Sequence, residues 1–279
     1  MLVRIKDHMV SFLLWNIQKK NLLETVAKLV IQHDIDILML IESNEEPNIV
    51  LRTLNKSANV NLFDYPFSNC DHVRIYTRFP EQFARPIFKD NRFTIRHIVL
   101  PGMIDIILIV IHFVSKVNIR DNSQSMQAVE FAKEIISTEK RIGHSRTVVT
   151  GDLNMNPFED GMISANGLHG SMSRNISLKG SRIVNGKEYE FFYNPMWSLM
   201  GDKSSGPPGT HYDYRSEMIS YFWNMYDQVL IRPELVTRFS NDDLKIIYTD
   251  GEKSFLKPSG EPDEKNFSDH LPITFKLHL

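Results

Sequence analysis

The sequence predicts an α/β (α+β) protein in which β-sheets stack on one another with helices on the outside. Three observations carry this reading. Short runs of Ile, Val and Leu recur at strand length along the chain. Helical periodicity is confined to two segments. Strands and helices alternate only early, which argues against a barrel of repeated βα units. At 279 residues, 42% hydrophobic and 24% charged, residues 1–279 are read as one domain with a core of ordinary size.

The runs 10–15, 35–41, 104–111, 147–150 and 228–231 are mostly apolar and too short for helices, so they read as buried strands. Segments 73–76, 93–100, 245–248 and 273–277 are further strand candidates. Asn21 is placed to cap a helix with Leu22, Leu23, Val26, Leu29 and Val30 on one stripe. Ser123 is placed to cap a second. Its inward positions are Met126, Val129, Ala132, Ile135 and Ile136, and its outward ones Lys133, Glu134, Glu139 and Lys140. The stretch from about 161 to 224 reads as a loop-rich insertion with a strong turn cluster over 201–209. Loops of this length in a compact domain are usually functional.

Composition narrows the classes. A net charge of −2 supplies no global basic field, which argues against a passive nucleic-acid coat but not against an enzyme with local phosphate contacts. The single cysteine, Cys70, permits no intrachain disulfide, so a reducing, cytoplasmic setting is expected. Arg4, Lys6, Asp7 and His8 break any apolar leader. The most apolar run, 104–111, is too short to span a bilayer and contains Asp105. Neither a membrane nor an obligate protein partner is expected.

The informative pattern is where polar residues fall. The run 10–15 ends at Asn16, 35–41 at Glu42 and 104–111 at His112. The run 147–150 leads into Gly151-Asp152-Leu153-Asn154, Asp227 precedes 228–231, and Ser268-Asp269-His270 precedes the last strand. Strand ends on one edge of a sheet converge on a common cleft, where ligand sites prefer to sit. Singly, Asn16 reads as a turn residue, Glu42 as the start of an acidic turn, His112 as an ordinary strand-end histidine and Asp227 as a turn cap. Asp152 and Asn154 are stronger. Two apart in an extended segment, they point the same way, and a carboxylate beside an amide suits the activation and orientation of a water. Gly151 permits close backbone approach.

Together these residues resemble the endonuclease/exonuclease/phosphatase superfamily, in its order and over nearly the whole chain. Trp15-Asn16 is similar to the first-strand asparagine and Glu42 to the metal-binding glutamate. His112 stands where DNase-like members have a histidine. Gly151-Asp152-Leu153-Asn154 resembles the Gly-Asp-hydrophobic-Asn motif, continued by Asn156-Pro157. Tyr226-Asp227-Gln228-Val229-Leu230 resembles the segment whose aspartate partners the terminal histidine, and Ser268-Asp269-His270-Leu271-Pro272 the closing Ser-Asp-His motif. The chain departs from the pattern at Gln18, where many members have a charged residue, at Ile41, where others have glutamine, and around 73–76, which lacks a glycine.

The resemblance implies a DNase I-like four-layer sandwich, two packed mixed sheets flanked by helices, with the site at one end. It implies Glu42 and Asp269, helped by Asn16, as ligands of Mg²⁺ or Mn²⁺, and Asp152 as the base for an attacking water that Asn154 directs. It further implies His270, oriented by Asp227, as stabiliser of the phosphorane, and His112 as a phosphate contact or proton donor to the leaving oxygen. Asn16, Asn154, His112 and His270 would line the phosphate. The expected activity is a nuclease cutting DNA or RNA to 5′-phosphate and 3′-hydroxyl ends. The alternatives are a phosphoesterase acting on an inositol phosphate, sphingolipid or nucleotide, and a non-catalytic binding module. Arg141, His144, Arg146, Arg174, Lys179 and Arg182 are candidate backbone contacts, and Tyr212, Tyr214, Tyr221 and Trp223 candidate base-stacking residues.

Overall fold

The computed structural model describes residues 8–57, 70, 72–116, 121–202, 205–214, 218 and 220–279. Arg4, Lys6 and Asp7, and Lys203 and Ser204 of the turn cluster, lie outside the described residues.

Two mixed sheets form the frame. The five-stranded sheet runs β15 (Lys245–Ile246), β16 (Ile273–His278), β1 (Met9–Asn16), β2 (Ile37–Ile41), β3 (Val73–Thr77). The seven-stranded sheet runs β4 (Ala84–Lys89), β5 (Phe93–Ile98), β6 (Ile106–His112), β7 (Thr147–Asp152), β14 (Asp227–Ile231), β11 (Phe192–Tyr193), β8 (Gly170–Ser171). Two hairpins complete the set: β9 (Ser181–Val184) with β10 (Lys187–Glu190), and β12 (His211–Tyr212) with β13 (Trp223–Asn224). β1 with β2 and β6 with β7 are parallel pairs, and their other sheet neighbours run antiparallel to them.

Side-chain alternation explains why the central strands are continuously apolar. Ile106, Leu108 and Val110 of β6 join the core shared by both sheets, whereas Ile107, Ile109 and Ile111 join a second cluster with Phe131 and Ile135 of α3 (Asp121–Ile142). Both faces of β6 are therefore dry, as expected for strands covered on two sides. Helices α1 (Leu23–Gln32) and α2 (Pro47–Ser57) pack together and add Val26, Leu29, Val30, Val50 and Leu54 to the larger cluster. No helix among the described residues is long and apolar enough to cross a membrane.

Several local expectations are corrected. Leu22, not Asn21, is the N-cap of α1, and it makes no side-chain capping bond. α3 begins two residues before Ser123. Its Met126 and Ile136 are exposed, whereas Glu139, expected outward, is buried. The reason is a partner distant in sequence: Arg232 forks onto both Glu139 oxygens at 2.8 and 3.0 Å and lies 3.9 Å above the Phe192 ring. A paired charge can be buried where an isolated one cannot. The 161–224 stretch is also more regular than expected. Its β8 and β11 extend the seven-stranded sheet through β14, and two-residue strands are too short to leave a periodic trace.

Gly151 is the tightest point of the frame. Its φ is +147°, and a Cβ there would lie 1.9 Å from the Ile111 carbonyl oxygen on β6. We predict that Gly151→Ala costs at least ~3 kcal/mol or prevents folding. Gly143→Ala, whose methyl meets no atom within 4 Å, should cost only ~1 kcal/mol for its left-handed backbone. Urea denaturation of the two variants compares them directly; equal losses would contradict the contact.

Candidate active site

Strand register assembles the site. His112 of β6 stands opposite Asp152 of β7, and Asp152 opposite Asp227 of β14. Residues in register across neighbouring strands face the same side, so these three form a row at one end of the seven-stranded sheet. The five-stranded sheet brings Asn16, in register with Ile41, and so Glu42 just beyond it. The loop entering β16 brings Asp269 and His270.

The two sheets meet at Asp152, which is 1% exposed. Its Oδ2 accepts a hydrogen bond from Asn16 Nδ2 at 3.0 Å and stands 3.7 Å from His112 Nε2 and 3.8 Å from His270 Nε2. His112 Nε2 is in turn 3.6 Å from Glu42 Oε1. Behind His270, Asp227 Oδ2 lies 2.7 Å from Nδ1. The structure thus brings Asn16, Glu42, His112, Asp152, Asp227, Asp269 and His270 to one end of the sandwich.

The loop 268–270 is locked from below. Ser268 Oγ donates to the Asn16 carbonyl at 2.6 Å and accepts from His270 N–H at 3.1 Å, while Trp15 Nε1, fully buried, donates to the His270 carbonyl at 2.9 Å. Gln18 Nε2 donates to Asp269 Oδ2 at 2.8 Å. Three residues of this region, Gln18, Glu42 and Asn154, hold left-handed backbone at φ 51°, 53° and 49°, a conformation that costs free energy in non-glycine residues and clusters at functional sites.

Asn154 reaches this region by a different route from the one expected. β7 ends at Asp152, so strand alternation does not extend to Asn154. Its N–H instead closes a turn onto Asp152 Oδ1 at 3.0 Å, its Nδ2 donates to the Phe113 carbonyl at 2.9 Å, and buried Gln124 of α3 braces its carbonyl at 2.9 Å. Asn16 is engaged at both ends: Nδ2 donates to Asp152, and Oδ1 accepts from Gln18 N–H at 3.0 Å.

Burial opposes charge on His270, but Asp227, Asp152 and Asp269 more than offset it, and the imidazole is pushed up to about 10. Neighbouring His211 behaves oppositely. Burial, reinforced by the His270 charge, lowers it to about 4. His211 was not legible as a site residue. It lies inside the irregular stretch, on a two-residue strand that pairs with Asn224 and bridges to His270. Gln18, noted only as a departure, is likewise part of the site.

The donor set fits a hard divalent cation. Besides the carboxylates of Glu42 and Asp269, Gln18 Oε1 is buried with no hydrogen-bond partner among the described residues. Two groups at this end, His211/Asp269/His270 and Asp152/Asp227/His270, hold their donor atoms within 4.8 Å of one another. A third, His97/Asp105/His144, lies at the start of β6 and β7, away from His112 and Asp152. Its His144 Nδ1 accepts the Arg146 N–H at 3.1 Å, so Nε2 carries the proton given to Asp105, and the group reads as a hydrogen-bonded hub.

The candidate backbone contacts are corrected in part. Arg146 is spent on Asp105 at that far end. Arg174 is held by the Val236 and Phe239 carbonyls and Asn241, and Arg182 by His169. The aromatics fit better. Tyr214 and Tyr221 are more than half exposed, and Tyr212 and Trp223 are half-buried beside them.

No family model and no curated protein matches the sequence. Solved structures do match the fold. A truncated TDP2 from Caenorhabditis elegans superposes with a TM-score of 0.56 at 17% identity, covering 96% of this chain and 97% of that one. An endonuclease/exonuclease/phosphatase family protein from Bacteroides thetaiotaomicron gives 0.54 at 12%, covering 96% and 97%. The 3′ phosphatase NExo from Neisseria, bound to product DNA hairpin, gives 0.53 at 16%, covering 96% and 99%.

Because its three acidic neighbours hold the proton, His270 should remain an imidazolium through pH 8. With its pKa raised above the unfolded value, the stabilisation from this pairing is full below about pH 6.5 and lost as pH rises through about 10. In Asp227→Asn, NMR titration should find the His270 pKa lowered from its wild-type value; an unchanged value would contradict the pairing.

Proposed function

We propose that this chain, which has the fold of the endonuclease/exonuclease/phosphatase superfamily, is a divalent-metal-dependent phosphodiesterase that hydrolyses nucleic acid to 5′-phosphate and 3′-hydroxyl ends. The observation that carries the reading is the setting of Asp152: a buried carboxylate between an amide and two imidazoles, each contributed by a different strand or loop.

The chemistry follows from what each side chain can do. Asp152 accepts the proton of a water attacking phosphorus in line, and Asn16 holds its Oδ2 in place. Asn154, with its amide nitrogen committed to Phe113, offers its oxygen to direct that water. His270, kept cationic by Asp227, donates to a phosphoryl oxygen as negative charge grows. His112 lies between Glu42 and Asp152 and serves the phosphate or the departing oxygen. Mg²⁺ or Mn²⁺, held by Glu42 and Asp269, would neutralise charge on the phosphoryl group and leaving oxygen. Asn16 braces the set from within.

Two features support nucleic acid over a small phosphate ester. Half-buried Tyr212 and Trp223 lie on the strand pair that carries His211 at the site, exposed Tyr214 lies against Tyr212, and these rings offer stacking faces. Among solved structures of this fold, the NExo structure contains a product DNA hairpin, and a D. rerio TDP2 structure a single-strand DNA product. The inositol phosphate, sphingolipid or nucleotide alternative would use the same catalytic residues.

Purified protein incubated with supercoiled plasmid, single-stranded DNA, RNA and a panel of phosphate esters should cleave nucleic acid in Mg²⁺ or Mn²⁺ and stop in chelator. Asp152→Ala should lower kcat by about 10² to 10⁴-fold. Phosphate release from small esters without strand cleavage would favour the alternative, and undiminished cleavage by the variant would overturn the mechanism.

A further inference from the structure

We infer that His211 supplies a nitrogen ligand to the divalent cation held by Asp269, so that the centre favours Mn²⁺ and Co²⁺ over Mg²⁺. The inference rests on the metal-centre reading above and adds a residue to it.

Four observations lead to His211. Its ring is wedged between Tyr226, at 5.1 Å between centroids, and His270, at 4.6 Å. Its strand is fixed on both sides: Thr210 N–H donates to the Asn224 carbonyl at 2.9 Å, and Leu271 N–H to the Thr210 carbonyl at 2.7 Å. Its Nδ1 is buried with no hydrogen-bond partner among the described residues. Its Nε2 stands 3.8 Å from Asp269 Oδ2, too far for a hydrogen bond. The cation would take the lone pair of Nε2, the nitrogen that faces Asp269, and the ring proton would then stay on Nδ1.

The spacing suits two donors on one ion. With metal–ligand bonds of about 2.1 Å, donors sharing a cation lie about 3.0 to 3.6 Å apart as the angle at the ion opens from 90° to 120°. The 3.8 Å gap closes with a shift of a few tenths of an ångström. His270 cannot serve in the same way, because its Nδ1 is tied to Asp227 and its Nε2 faces Asp152. Unpartnered Gln18 Oε1 belongs to the same pocket, since the Gln18 amide is anchored on Asp269 Oδ2. An imidazole strengthens binding of the softer first-row ions and does little for Mg²⁺, which prefers oxygen. The competing role for His211 is packing alone, as an aromatic plate between Tyr226 and His270.

His211→Phe separates the two roles, because it keeps a ring of similar size and removes both nitrogens. Electron spin-echo envelope modulation of the Mn²⁺-loaded wild-type protein should show coupling to an imidazole nitrogen. In His211→Phe that coupling should vanish, with Mn²⁺ and Co²⁺ affinity by calorimetry falling at least about tenfold and Mg²⁺ affinity changing far less. Mn²⁺ bound with no nitrogen coupling in the wild type overturns the inference while leaving the metal centre standing, and this outcome does not depend on whether the variant folds. Coupling that persists in the variant, or equal losses for Mg²⁺ and Mn²⁺, assigns His211 to packing and likewise overturns it. Failure of the wild type to bind either ion overturns both this inference and the metal-centre reading.

Discussion

A cleft built from the ends of two sheets exists only if those ends are level, and in this protein the Asn16–Asp152 hydrogen bond of 3.0 Å marks where they meet. Asn16 closes the central strand of one sheet and Asp152 a central strand of the other. Register then does the rest. Once Asp152 is placed, pairing fixes His112 on one side and Asp227 on the other. Ser268 and Trp15 fix the loop that carries Asp269 and His270 to the same strand that ends in Asn16. A one-residue slip in β7 would turn Asp152 to the opposite face, and Gly151, packed against the Ile111 carbonyl, resists that slip.

The same convergence creates an electrostatic imbalance. Asp152, Asp227 and Asp269 gather around His270 and favour its charged form, while burial and the His270 charge favour the neutral form of His211. Carboxylates withdrawn from water demand compensation. Asn16, Gln18 and Thr210 donate or accept within the cluster but carry no charge. Under the proposed function, a divalent cation would offset that charge.

Much of this was legible in the sequence because two-sided burial leaves a strong trace. Continuous runs such as 106–111 can only be covered strands, and a metal-capable residue directly after such a run must sit on a sheet edge. Asn16, Glu42 and His112 follow such runs directly, Asp152 stands in the motif after 147–150, and Asp227, Asp269 and His270 precede strands. What escaped obeyed other rules. Helix α2 buries only Val50 and Leu54, too thin a stripe to register. β4 contains Pro86 and a register shift beside it, which disguises an edge strand. Glu139 is buried by an arginine far along the chain. His211 lies on a strand of two residues whose position depends on backbone pairing to both Asn224 and His270, and no local pattern encodes that.

The departures in sequence gain meaning from the geometry. Gln18 stands where a charged residue is common among proteins it resembles, and here its amide anchors Asp269 while its oxygen remains unpartnered. The strand pair that carries His211 also carries Tyr212 and Trp223. Under the proposed function, Glu42 and Asp269, from opposite halves of the chain, hold one cation between the sheet ends. Anomalous diffraction from a crystal soaked in Mn²⁺ tests it most directly. A peak bonded to both carboxylates is expected; a peak at His97, Asp105 and His144 with none between Glu42 and Asp269 would contradict the proposed centre.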